Sequence, residues 1–150
     1  MTSTNSASLP SVGLPVIAPG WSIAGVQLVN PDAGTPDFAP TVICQLRVDA
    51  GHGANLDNIA AGDVDKVKAL PGAVIHGQRS VTSGETSVRE VDIEASAGQG
   101  NLRQLMWFFA IDGHVYTAVA SSQPETFTKL RPELEKGLKA VVSLMRGSGK

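Results

Sequence analysis

Three histidines, one cysteine, an alternating run of acids and two adjacent serines are the side chains of this 150-residue chain with reactive chemistry to offer. A structural or catalytic metal site needs several imidazole, thiolate or carboxylate donors converging on one point. His52, His76 and His114 fall in different turns or strands, with no His-x-x-x-His spacing and no cysteine partner. Glu90, Asp92 and Glu94 alternate and therefore share one face of a strand. They read as a solvated face, since a glycosidase-type carboxylate pair would need a cleft around it. Ser121-Ser122 has no base that can be placed near it, and no Gly-x-Ser-x-Gly elbow is present. Gly51-His52-Gly53 and Gly98-Gln99-Gly100 read as turns, because neither joins a strand to a helix as a dinucleotide fingerprint does and neither carries a phosphate-loop Lys-Ser/Thr. Cys44 lies in the apolar run Thr41 to Val48 and reads as a small buried hydrophobe. The expectation is a chain that is not an enzyme, with no catalytic residues, no cofactor and no metal.

The elements that would have to carry any function are clearer. Leu102 to Ile111 and His114 to Ala120 are β-rich runs flanking Asp112-Gly113. Such a pair closes a two-residue type I′ hairpin, which needs positive φ at both central positions. The turn sets Ile111 opposite His114, Phe109 opposite Tyr116 and Trp107 opposite Ala118, sharing a face with Leu105 and Ala120. Met106, Phe108, Ala110, Val115, Thr117 and Val119 take the other face. Both faces are apolar, so both must be covered, which places the hairpin in the middle of a sheet.

Around it the spacing predicts an N-terminal extended arm or edge strand over 9–18, rich in proline, then short strands over 25–30 and 41–48. A helix follows over 55–70, capped by Asn55 and stopped by Pro71-Gly72, with Leu56, Ile59, Ala60, Val64, Val67 and Leu70 as its apolar stripe. Strands at 73–82 and 85–95 precede the hairpin. A last helix over 132–146 carries Leu134, Leu138, Val141, Val142 and Met145, with Pro132 expected at its first position. The fold class is α+β: an α/β/α sandwich with a central, mainly antiparallel sheet of six to seven strands and two main helices. Residues 1–8 are expected to be a disordered arm, 9–146 one domain and 147–150 a tail.

Composition narrows the partners. Net charge is −2 and Lys and Arg are not clustered, so nucleic acid is not expected. Charged residues make up 17%, below the ~25% of a typical domain, so the surface leans on Ser, Thr, Gly and Ala. No run approaches a transmembrane helix, and the uncharged first eight residues are unlike a secretory leader, which gives a cytoplasmic expectation. Trp21, Trp107, Phe109 and Tyr116, with His114 beside the turn, are the candidates for a partner- or ligand-binding surface; core filling is the competing role.

The order of these pieces resembles the PsbP-like superfamily, which includes Ran-binding Mog, PsbP and DcrB-type proteins, and among them it is most similar to the actinobacterial LpqN/LpqT-type proteins. The resemblance is carried by Pro19-Gly20-Trp21, Ala39 to Ile43, Leu70-Pro71-Gly72-Ala73, Leu105 to Phe109, Gly113 to Thr117, Phe127, Leu130 to Leu134 and Ser143. It implies an α/β/α sandwich, no catalytic residues, and action through a protein partner as an adaptor or chaperone-like domain, in some members linked to envelope or secretion machinery. Another reading is a carrier of a small apolar ligand such as a lipid. A monomer or weak homodimer fits either.

Overall fold

The computed structural model describes residues 24–32, 39–51, 53–96 and 100–148. The expected arm over 9–18, Trp21 and His52 lie outside them.

Six strands form one sheet: β1 (Gly25–Val29), β2 (Thr41–Leu46), β3 (Val74–Ser83), β4 (Thr86–Ser96), β5 (Asn101–Ile111) and β6 (His114–Ser122). Their order across the sheet is β1-β2-β6-β5-β4-β3, with every neighbour antiparallel. Helix α1 (Leu56–Lys68) links β2 to β3, and helix α2 (Phe127–Ser148) follows β6 through a short 3-10 turn, Pro124–Thr126. This is the expected α+β arrangement, one helix on each face of an open sheet.

The β5–β6 hairpin has the register that its turn dictates. Ile111 faces His114, Phe109 faces Tyr116 and Trp107 faces Ala118. Asp112 and Gly113 have φ of 53° and 82°, the left-handed pair that the Asp-Gly sequence supplies at least cost. Phe109 and Tyr116 stack across the strands with ring centroids 5.6 Å apart.

Each face of the hairpin meets its own helix. Leu105, Trp107, Phe109, Tyr116, Ala118 and Ala120 pack with Val42 and Cys44 under Leu130, Leu134, Leu138, Val141 and Met145 of α2. Phe108, Val91 and Ile93 pack under Ala60 and Val64 of α1, flanked by Leu56, Ile59 and Met106. Asn55 caps α1 as its residue type requires, its side-chain oxygen accepting the Asn58 N–H at 3.0 Å. Asp57 and the lysines 66 and 68 complement the helix dipole.

α2 departs from the expected start at Pro132. It begins at Phe127, so Pro132 lies in its second turn. A proline there removes the donor that the Thr128 carbonyl would meet. The burial of Phe127 and Leu130 outweighs that loss, because both side chains are almost fully enclosed against the sheet. α2 also rides unusually close to β2. A Cβ on Gly137 would stand 2.7 Å from Cγ2 of Val42. Glycine costs about 1 kcal/mol in a helix interior relative to alanine, and here it is what the approach requires. Gly137→Leu is therefore expected to lower stability by about 1–3 kcal/mol despite its better helix propensity, read from the midpoint of urea unfolding.

Candidate functional site

The alternating acids of β4 are not a wet face. Glu90 is 2% exposed and Asp92 9%. The sequence reading of a solvated Glu90-Asp92-Glu94 row is corrected for these two, because arginines distant in sequence cover them. Glu90 accepts from Trp107 Nε1 at 3.0 Å, Arg79 Nε at 2.6 Å and Arg131 at 3.3 Å. Asp92 accepts two parallel hydrogen bonds from Arg103, at 2.8 and 3.0 Å, and faces Arg131 at 3.6 Å. Arg131 also pairs with Glu135 one turn along α2. The Arg103 and Arg131 guanidinium groups lie 4.2 and 5.6 Å from the Phe127 ring centroid. This network of three acids and three arginines ties the start of α2 to β3, β4 and β5. Every described buried side-chain polar atom has a partner, so the network acts as a structural clasp. Glu94, at the strand end, stays accessible; its carboxyl is held below the usual range by hydrogen bonds from Asn101 and then His76.

The other candidates for chemistry are dispersed. His76 pairs with Glu94 at one end of the sheet, whereas His114 lies beside the Asp112-Gly113 turn at the opposite end. Among the described residues no group of His, Cys, Asp and Glu could hold a metal ion. Cys44 is fully enclosed, and burial pushes its thiol up to about 12, which leaves it unreactive at neutral pH. Ser121 accepts from Gln104 and Ser122 donates to the Gln123 carbonyl. Of the aromatics singled out in the sequence, Trp107, Phe109 and Tyr116 are 2%, 0% and 7% exposed and lie beneath α2; His114 is exposed.

A different surface is left open, one that periodicity did not reveal. α1 covers β4 and β5, with Ile75 of β3 at its margin, and leaves β1, β2 and β6 outside its hydrophobic cluster. On that same face, β2 presents Thr41, Ile43 and Gln45, β6 presents Thr117, Val119 and Ser121, and β1 presents Gly25, Gln27 and Val29. Ile43 and Val29 are exposed at 43% and 58%, large values for such side chains in a sheet. A shallow cleft of about 310 Å³ runs over β2 and β6 to Gln104. No strand position of this half-face carries an ionisable side chain. Arg47, just beyond β2, closes one end, bonding Asp63 of α1 at 2.7 Å, Asp49 at 2.9 Å and the Thr117 hydroxyl at 3.1 Å. The site is thus a flat, uncharged panel of amides and hydroxyls around two branched aliphatics, framed by an arginine clamp.

No family model matches the sequence, and no curated protein sequence does. Solved structures do. A Pseudomonas aeruginosa protein of unknown function, PA94, superposes with a TM-score of 0.67 at 15% identity, over 82% of this chain and 85% of that one. LpqN of Mycobacterium tuberculosis, involved in cell envelope biogenesis, gives 0.53 at 15% identity, over 77% of this chain and 66% of that one. The chain has the LpqN fold. The similarity to LpqN-type proteins read from the sequence holds at the level of fold. The cyanobacterial PsbP of Synechocystis aligns more loosely, at 0.45 and 12% identity, over 80% of this chain and 79% of that one. Among the described residues no helix is long and apolar enough to cross a membrane.

Two outcomes follow. Glu90→Leu strands the buried Trp107 N–H and removes the counter-charge of Arg131, so it is expected to cost about 2–4 kcal/mol in urea unfolding, whereas Ile43→Glu on the open panel should change stability by no more than about 0.5 kcal/mol. Asp49 is held below the usual carboxylate range chiefly by its hydrogen bond from Arg47. A carboxyl whose folded pKa is depressed contributes stability above its unfolded value of ~4 and loses it as pH falls through the folded value. Asp49→Asn should therefore flatten the acid side of the stability profile while leaving its alkaline side parallel to the parent's, measured as urea midpoint against pH.

Proposed function

We propose that this chain is a non-catalytic protein-binding domain, acting as an adaptor, that takes its partner on the uncharged panel of β1, β2 and β6. The observation that carries the reading is the exposure of Ile43 and Val29 on a sheet face free of ionisable strand side chains. A face without ionised groups avoids the largest desolvation cost, and exposed amides such as Gln27 and Gln45 can offset their smaller one with partner hydrogen bonds. The complementary partner is a protein segment with small or branched apolar side chains and few charges. A highly charged segment would lose its hydration there and gain no counter-ions. The similarity of fold to LpqN, an envelope-biogenesis protein, is compatible with an envelope or secretion setting for such an adaptor.

The lipid-carrier reading has less support. The space beside Trp107 and Tyr116 is filled by Leu134, Leu138 and Val141 of α2, so an apolar ligand would have to displace the helix.

The experiment is affinity purification from native cells with the parent chain and with Ile43→Glu, both shown to share one unfolding midpoint. A dominant protein retained by the parent and lost with the variant supports the reading. Equal recovery with both moves the binding surface elsewhere. Turnover of a substrate by the purified parent overturns the non-catalytic assignment.

A further inference from the structure

β3 is the edge of the sheet away from β1, and among the described residues nothing pairs with its outer side. It is 10 residues long. Long edge strands are usually blunted by lysine, by proline, by a covering element or by a bulge. β3 has a register shift between Ile75 and Gly77, near its start. From Gly77 to Ser83 its ladder with β4 is regular, and that run holds neither lysine nor proline. The one ionisable side chain there, Arg79, turns onto the α2 face, where it donates to Glu90 at 2.6 Å and pairs with Glu135 at 3.7 Å. Gln78, Arg79, Ser80 and Thr82 are exposed.

The tight turn decides which backbone groups look outward. Ser83 and Thr86 flank the two-residue turn Gly84-Glu85, so they exchange hydrogen bonds, and bonded and non-bonded pairs alternate from there. Val81, Arg79 and Gly77 thus bond β4, while Thr82, Ser80 and Gln78 direct their N–H and C=O groups away from the sheet. Ser80 is the midpoint of the regular run. A two-fold axis at Ser80 sets it opposite Ser80 of a second copy, with Gln78 opposite Thr82, Arg79 opposite Val81 and Gly77 opposite Ser83. Every outward residue then meets an outward residue. No like charges face one another, and the aliphatic stem of Arg79 lies along Val81. Moving the axis to Arg79 would oppose two guanidinium groups, and moving it to Val81 would leave Gln78 facing the turn.

We propose that two copies of this chain join antiparallel along β3, with the two-fold axis at Ser80, so that their six-stranded sheets become continuous. One strand edge a side is small beside the ~1,200 Å² of a standard interface, so the dimer forms reversibly. The panel of β1, β2 and β6 lies toward the opposite edge, clear of the junction in both copies. Where that panel takes the partner, the dimer presents it twice and holds a partner with two binding segments by avidity. The dimer itself does not rest on that reading.

Sedimentation equilibrium of the full chain, from micromolar to millimolar concentration, reads the mass, and amide hydrogen exchange at both extremes locates the contact. The mass is expected to rise towards twice that of one chain. Exchange at Gln78, Ser80 and Thr82 should slow several-fold at the higher concentration, and that at Arg79 and Val81, already bonded to β4, should change less. Ser80→Lys and Ser80→Glu each oppose like charges across the axis and are expected to stay at the mass of one chain, whereas their equimolar mixture regains the dimer. A parent that keeps the mass of one chain throughout overturns the proposal, as does a dimer whose slowed amides lie on β1 or on the panel. Ser80→Lys dimerising as strongly as the parent also overturns it. The parent's exchange pattern decides without any variant. Ile43→Glu is expected to leave the dimer intact, so this result and that of the affinity purification stand or fall separately.

Discussion

One helix cannot cover a six-stranded sheet. Six strands span about 24 Å across, and a packed helix shields a band of about 10 Å. This chain has one main helix per face, so part of each face has to be finished in another way. The offset between the helices decides which part. α2 lies over β1, β2, β6 and β5, drawn down onto β2 by the missing side chain of Gly137 and by the small Ala118 and Ala120 of β6. α1 lies over β4 and β5 on the other side, held there by the Asn55 cap and by the Arg47–Asp63 pair. The β5–β6 hairpin, apolar on both faces, is the part that both helices must reach.

The two bare parts are finished in opposite chemistry. Beyond α2, over β3 and β4, acids and arginines interlock and satisfy one another: Glu90 and Asp92 are buried by the arginines 79, 103 and 131. That region is bonded shut. Beyond α1, over β6, β2 and β1, the side chains are neutral, Thr41, Thr117 and Ser121 are hydrogen-bonded within the chain, and Ile43 and Val119 give them an apolar centre. The first arrangement gains specificity for its own fold, since each charge has one partner set at fixed geometry. The second has no such commitment, which is the property expected of a surface that exchanges solvent for a protein segment.

How much of this was legible beforehand follows from which forces are local. Turn chemistry is local, so Asp112-Gly113 gave the register from Trp107–Ala118 to Ile111–His114 without error. Capping is local, and Asn55 marked the start of α1. The start of α2 was misplaced because a local rule, proline at the first position, competed with the burial of Phe127 and Leu130, which depends on a sheet assembled from distant segments. The acidic row of β4 was misread for the same reason. Alternation shows that Glu90 and Asp92 share a face, but only the folded sheet brings Arg79 beside Glu90 and Arg131 over both. The open panel was illegible in kind. Its residues look like an ordinary half-polar strand face, and what distinguishes them is the reach of a helix that covers other strands. Trp107, Phe109 and Tyr116 were visible as a cluster, yet sequence could not say that α2 would seal them.

The central claim is that the neutral panel of β1, β2 and β6 takes a protein partner. The most direct measurement is photo-crosslinking in native cells from a reactive group placed at Gln27, exposed on the panel, and from one placed at Leu70, 47% exposed just past the end of α1. The account predicts one dominant protein adduct from position 27 and none from position 70. No adduct from position 27, or the same adducts from both positions, would contradict it.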